Sequence, residues 1–183
     1  MGNDRAFVVN RAGEITWEWN ASDWIGPGTP FWTRYVPEGN RDAYQPGDPE
    51  ADWTHLNDID ALDTGNFHLS IRNFDVVLEV DGDTGSIVAV TGRPGDGVFR
   101  EQHDPNYLEG PGTMVVADSV NNRIVELDPA TGDRLWTYTG TDRRLQWPRD
   151  ADRLPNGNTL IVDSRNFRVL EVNATGGVVW EYS

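Results

Sequence analysis

Two of the three histidines in this 183-residue sequence sit in stretches whose residue types could do chemistry. His55 lies in DWTHLNDID and His103 in EQHDPNYL, each just before a run that reads as a strand. An imidazole can serve as nucleophile or as general acid and base near neutral pH. In the related stretch WPRDADRL the place of His103 is taken by Arg149, and Arg72 closes the run LSIRNFD. A cluster of His and Arg in an otherwise acidic chain points to an anionic ligand, because guanidinium groups meet oxyanions with paired N–H donors. His68, in NFHLSIR, reads as a surface strand residue. With no Cys there is neither a disulfide nor a thiolate metal site. The stretches DGDTG and NDID lack the remaining ligands of a calcium loop, so neither a metal nor a cofactor is expected.

The elements that must position these residues are repeats. Asp58–Val80, moved forward by 92 residues, lands ungapped on Asp150–Val172, and nine positions are identical. A third copy lies between them, where ADSVNNRIVELD (117–128) matches VDSRNFRVLEVN (162–173). The period is therefore about 46 residues. Each copy consists of short β-branched or aromatic runs punctuated by Asn156-Gly157, Gly176-Gly177 or DPATG (128–132), all suited to hairpin turns. No stretch has sustained helical periodicity. A strand-rich repeat in the forties predicts an all-β chain, a β-propeller with one four-stranded blade per repeat and about fourteen strands in total.

Arg5–Trp19 aligns on Arg168–Tyr182, which supplies the two outer strands of a blade without an inner pair. The expected single domain is thus about three and a half blades: a half blade at 5–19, and full blades at 53–92, 102–140 and 147–183. A partial ring exposes strand edges and apolar blade faces, so association with further copies or docking on another protein is expected. Inner-strand entrances face a propeller's axis, and on that reading His55 and His103 occupy the same place in successive blades. Residues 20–52 exceed the repeat. They are rich in Pro, Gly and aromatics and read as an ordered loop lying across one face.

Composition bounds the surroundings. Fifteen Arg and no Lys stand against twenty Asp and ten Glu, giving a net charge of −15 and a pI near 4.4. Dense carboxylates without Lys fit a salt-rich medium, in which self-repulsion is screened. Such a surface excludes nucleic acid as a partner, since that needs a basic footprint. Nothing in the sequence fixes a compartment; a salt-loving microbe's cytoplasm or cell surface both suit it.

The stretches DWTHLNDIDAL, SIRN, QHDP, VVADSVNNRIVELD and LQWPRDADRLPNGNTLIVDS together resemble the haloarchaeal branch of the arylsulfotransferase family, over roughly the C-terminal half of a full-length member. The resemblance implies a six-bladed propeller that moves a sulfuryl group between phenols without a nucleotide donor. It implies a covalent histidine intermediate on His103, from the family's QHD motif. His55, from THLN, and Arg72, from SxR, would hold sulfuryl or phenolic oxygens. A further family histidine, from an earlier blade, has no counterpart here.

This chemistry is coherent in itself. A neutral imidazole attacks sulfur, a phenolate leaves, and fixed cations meet the charge on the oxygens without a metal. Arg149, Trp53, Tyr107 and Trp147 are the candidate substrate-binding residues, the aromatics by stacking on aryl rings, although core packing is the alternative for each. The rival reading is a non-catalytic binding or structural propeller module that assembles with itself or with a partner. The aromatic insert and the triplets Asn20-Ala-Ser22 and Asn173-Ala-Thr175 are compatible with that role at a cell surface.

Overall fold

A computed structural model of the chain describes residues 4–44, 48 and 51–183. Among these residues there are fourteen strands. The first two, β1 (Arg5–Val9) and β2 (Ile15–Asn20), form a two-stranded antiparallel sheet. Three four-stranded sheets follow. They are β3 (Leu56–Ala61), β4 (Phe67–Ile71), β5 (Val76–Val80) and β6 (Ile87–Thr91); then β7 (His103–Leu108), β8 (Thr113–Asp118), β9 (Arg123–Leu127) and β10 (Arg134–Tyr138); then β11 (Pro148–Arg153), β12 (Thr159–Asp163), β13 (Arg168–Val172) and β14 (Val178–Tyr182). In each sheet the strands lie side by side in chain order and antiparallel, the meander of a propeller blade. The chain divides into two compact units, Met1–Gly97 and Val98–Ser183.

The repeat works through its turns. Every outer hairpin opens on Asn or Asp and closes on a left-handed Gly. The four pairs are Asn10 with Gly13 (φ 83°), Asp81 with Gly85 (φ 74°), Asp128 with Gly132 (φ 76°) and Asn173 with Gly176 (φ 83°). The opening side chain accepts the amide two residues on, as in Ala12 N to Asn10 Oδ1 at 2.9 Å and Ala130 N to Asp128 Oδ1 at 2.8 Å. At Asp81 the Thr84 hydroxyl and amide both donate to the carboxylate and hold it below the usual carboxylate range.

In the second and third blades the chain after the second strand carries a polar clamp. Asp118 and Asp163 are fully buried. Asp163 accepts from the Gln146 amide (2.7 Å), Asn166 Nδ2 (2.7 Å) and Arg168 Nε (2.8 Å). Asp118 does the same with the Arg100 amide (2.8 Å), Asn121 Nδ2 (2.9 Å) and Arg123 Nε (2.5 Å). The clamp ties the incoming loop to the blade, and a buried carboxylate with this many donors is compensated.

The first blade replaces all three clamp positions with Ile71, Phe74 and Val76, each fully buried. Residues 20–52 explain the change. Where a loop was expected, they form two short helices, α1 (Ala21–Ile25) and α2 (Pro30–Tyr35), and a 3₁₀ segment at Glu38–Tyr44. Thr29 caps α2 by accepting from the Trp32 amide, and Pro30 fills its first turn, a start signal legible as TPFW. Trp32, Tyr44 and Trp53 meet Phe74 edge-on, with centroids 6.2, 4.5 and 5.9 Å away. Burial raises the pKa of the Tyr44 phenol, and the Asp75 charge adds to the rise. The insert therefore caps an apolar version of the clamp in its own unit.

The half blade joins the same unit through Asp4. Its side chain accepts from the Thr54 hydroxyl (2.5 Å) and the Leu56 amide (2.7 Å), while Trp17 packs on Phe67 at 4.5 Å. In the other unit, Leu145, Ala151 and Ile161 pack with Val115, Ile124 and Tyr138 in a core shared by two blades. Outer-strand aromatics separate covered faces from open ones. Trp19 is buried and Tyr138 is 5% exposed, but their repeat equivalent Tyr182 is 70% exposed, beside Trp180 at 49%.

His68 departs from expectation. It lies in β4 at 3% exposure and is a core residue, not a surface one. The strand it occupies is buried from His68 to Ile71, so the polar residues at 68 and 70 do not mark a solvent face.

Candidate functional site

Each inner strand is entered through a residue in the left-handed region: His55 (φ 49°), Glu101 (φ 50°) and Trp147 (φ 52°). These three are spaced 46 residues apart, so they mark equivalent backbone positions. Non-glycine residues rarely adopt this conformation, and a repeated instance is held by its surroundings. It also corrects one expectation. His55 and His103 are not equivalent; they are offset by two residues, because His103 corresponds to Asn57 and to Arg149, and His55 to Glu101 and Trp147.

In the first unit, His55 and Arg72 are joined through the backbone. The Arg72 amide donates to the His55 carbonyl at 3.2 Å and the Asn73 amide to the Thr54 carbonyl at 3.1 Å. The His55 side chain is about one-third exposed, and its Nδ1 faces the Asp52 carboxylate. That partner accepts only, so Nδ1 carries the proton and Nε2 is the outward nitrogen. The Arg72 guanidinium donates to Asn73 Oδ1 at 3.0 Å, and Asn73 Nδ2 donates to the Asp52 carbonyl at 2.6 Å. Asp52, His55, Arg72 and Asn73 thus form one hydrogen-bonded group.

In the second unit, His103 begins β7 and is 8% exposed. Its Nδ1 lies 2.8 Å from Ser119 Oγ and 3.1 Å from the Glu101 carbonyl. Ser119 spends its proton on the Pro148 carbonyl, 2.6 Å away, so its oxygen accepts from Nδ1–H. At the other edge of the ring Nε2 meets Arg149 Nη1, a group that can only donate. Both edges therefore specify one tautomer, with the proton on Nδ1 and the lone pair on Nε2. Asp104, next in the motif, accepts the Ala151 amide at 2.8 Å and fixes β11 beside β7. The Arg149 guanidinium also lies over the Trp147 indole, 4.2 Å from its centroid.

The other candidates are placed as follows. Trp53 is 4% exposed in the aromatic cluster around Phe74, a packing position. Tyr107 is half-buried on β7 opposite Met114, four residues along the strand from His103. Trp147 is half-buried at its strand entrance, and its amide donates to Asn122 Oδ1 at 2.8 Å. Residues missed in the sequence are Ser119, Asp52 and Arg165. Ser119 had a signal: in the repeat it occupies the position of Arg72, directly after the second strand and its next residue. No group of three or more potential metal ligands occurs among the described residues.

Solved structures similar to this chain include a Bacteroides caccae protein of unknown function (18% identity, TM-score 0.58, covering 98% of this chain and 54% of that one). A streptogramin B lyase is also similar (11%, 0.58, 95% and 46%), as is the WD40 β-propeller domain of Doa1 (16%, 0.51, 70% and 40%). These likenesses establish the propeller fold, and the chain spans about half the length of those structures or less. No curated protein matches it in sequence. The arylsulfotransferase (ASST) family model, however, matches residues 1–109, more than half of the chain and a span that takes in His55, Arg72 and His103. On that match, the chain belongs to the arylsulfotransferase family.

Proposed function

We propose that this chain carries part of the active centre of a sulfuryl transferase that acts between phenolic compounds, with His103 as the nucleophile. The observation that carries the reading is the double specification of the His103 tautomer, by Ser119 and the Glu101 carbonyl on one edge and by Arg149 on the other. A neutral imidazole with its lone pair on Nε2 is the form that attacks. Nε2 forms a bond to the sulfur of an aryl sulfate while the bond from sulfur to the phenolic oxygen breaks, and the phenolate leaves. Arg149 would release Nε2 and turn its N–H donors to the sulfuryl oxygens. The charge that develops on the ring is met at Nδ1–H by Ser119 and Glu101. An acceptor phenol then gives its proton to solvent, attacks sulfur, and breaks the bond to Nε2. Arg72 and His55 would hold sulfuryl or phenolic oxygens in the same cycle.

The chain has three four-stranded blades and a two-stranded one. Activity is therefore proposed for a completed ring, formed with further copies, with another protein or with the missing blades restored. The exposed Tyr182, whose equivalents Trp19 and Tyr138 are buried, supports docking at the outer face of the third blade. A halophilic source belongs to the same proposal and rests on the Lys-free acidic composition; an archaeal one rests on the resemblance of the motifs to the haloarchaeal branch. The test is to mix the assembled protein with phenyl sulfate, quench, and seek a sulfuryl adduct by mass spectrometry. His103→Ala should abolish both adduct and phenol release. Release at the parent rate by that variant would refute the role of His103 and favour a binding module.

A further inference from the structure

Beside Trp147 lies a cleft of about 450 Å³ lined by Asn121, Asn122, Arg144, Leu145, Gln146 and Arg165. No carboxylate lines it. Among the described residues neither Arg144 nor Arg165 makes an ion pair, although the chain has thirty acidic residues for fifteen arginines. The carboxylates behind the cleft, Asp118 and Asp163, are committed to Arg123 and Arg168. Asn122 spends its Oδ1 on the Trp147 amide, which leaves its NH₂ as the polar end. Asn121 spends its NH₂ on Asp118, so the cleft offers the Asn122 NH₂ and two guanidinium groups, an arrangement that suits an oxyanion.

Arg165 is exposed, and its side chain stacks on an aromatic ring. Its guanidinium lies over the Trp147 indole at 4.2 Å from the centroid, the same distance as that of Arg149. Two cations that share one ring lie no more than about 8 Å apart, and each is oriented by the stack. Arg149 touches His103 Nε2, the proposed point of attack. An aromatic ring bearing oxyanion groups on opposite carbons spans this separation.

We infer that the cleft is a subsite for a second oxyanion, a carboxylate or sulfate group carried on the aryl sulfate substrate across the ring from the sulfuryl group that is transferred. The inference rests on the sulfuryl-transfer reading above. Arg165 and Arg144 hold the non-reacting anion, Trp147 fixes the spacing, and Arg149 receives the reacting group. Substrates with one anionic group fill only half of this arrangement.

The test is equilibrium binding by calorimetry on the full chain, at a fixed salt concentration where circular dichroism shows it folded. Para-sulfooxybenzoate should bind roughly tenfold more tightly than phenyl sulfate, the scale of one partly exposed charge-assisted contact. Arg165→Ala should erase most of that preference, and Arg165→Lys should keep part of it. Equal affinity of the parent for both ligands, no binding of para-sulfooxybenzoate, or a preference unchanged in Arg165→Ala would each overturn the inference. Failure of the two readings is distinguishable. Phenol release without any preference sinks the subsite alone, and a preference lost in Arg165→Ala but without phenol release from the assembled protein sinks the transfer alone.

Discussion

Removing Arg168 should cost more than removing Arg168 and Asp163 together. The two side chains are 5% and 0% exposed and meet at 2.8 Å. In Arg168→Val the carboxylate of Asp163 keeps the Gln146 amide and Asn166 but loses its countercharge in a site closed to water. An uncompensated buried charge of this kind costs about 3–5 kcal/mol. At the sensitivity of a chain this size, ~2–4 °C per kcal/mol, the melting temperature should fall by roughly 6–20 °C. Adding Asp163→Ile removes the stranded charge. What remains unmet is neutral, chiefly the Gln146 amide at about 1–3 kcal/mol, since Asn166 Nδ2 keeps the Arg144 carbonyl. The first blade has already made this exchange, with Ile71 and Val76 at the same two places. Thermal melts of the parent, both single variants and the double, in one concentrated salt buffer, close a double-mutant cycle. Additive losses, or a loss below about 1 kcal/mol in Arg168→Val, would show that the clamp is not an electrostatic unit and would refute the reasoning.

Three further outcomes are expected. Ser119→Ala removes the acceptor that fixes Nδ1–H of His103, so phenol release by the assembled protein should slow by roughly 10–100-fold while the fold survives; a parent rate would sink the tautomer argument. Asp150 has its pKa raised by burial and then by the Asp152 charge, so the folded state holds that proton more tightly than the unfolded one. Its contribution therefore falls as pH rises through the carboxylate range, and Asp150→Asn should raise the melting temperature at neutral pH with a gain that vanishes in acid. Thirty carboxylates against fifteen guanidinium groups repel most at low salt, where the Debye length is about 30 Å at 0.01 M. Desalting should abolish the β circular dichroism, and identical melting in dilute and molar salt would remove the halophilic reading.

Much of the fold was legible because it is periodic. The 46-residue spacing, the Asx and Gly pairs at the hairpins and the half repeat at the start translate directly into sheets, turns and the two-stranded element. The insert was legible as an ordered segment but not as helices. Five- and six-residue helices are too short for periodicity to show, and only the Thr29-Pro30 start gave α2 away. His68 was misread because polar residues at alternate strand positions normally mark a wet face, whereas β4 is an inner strand covered on both sides. At the candidate site, His55, Arg72, His103 and Arg149 were named from the sequence, whereas Ser119, Glu101 and Asp52, which hold the two imidazoles, were not. The two-residue offset between His55 and His103 depends on where the backbone turns left-handed, and the hold on His103 comes from Ser119, sixteen residues away across a strand pair.

The two versions of the clamp also bear on how such a gene can change. Segments 118–123 and 163–168 bind their own loops with the same three residues at the same spacing, so recombination between the second and third repeats would exchange like for like and leave no trace in the fold. The first repeat is closed to that exchange. Its Ile71, Phe74 and Val76 are matched to aromatic residues of an insert that the other copies lack. A crossover there would set an asparagine in place of Phe74 against Trp32 and Tyr44, or leave the aromatic cap with nothing to cover. Sequence drift between copies should accordingly be erased in two of the repeats and locked into the third, which is the one that carries His55 and Arg72.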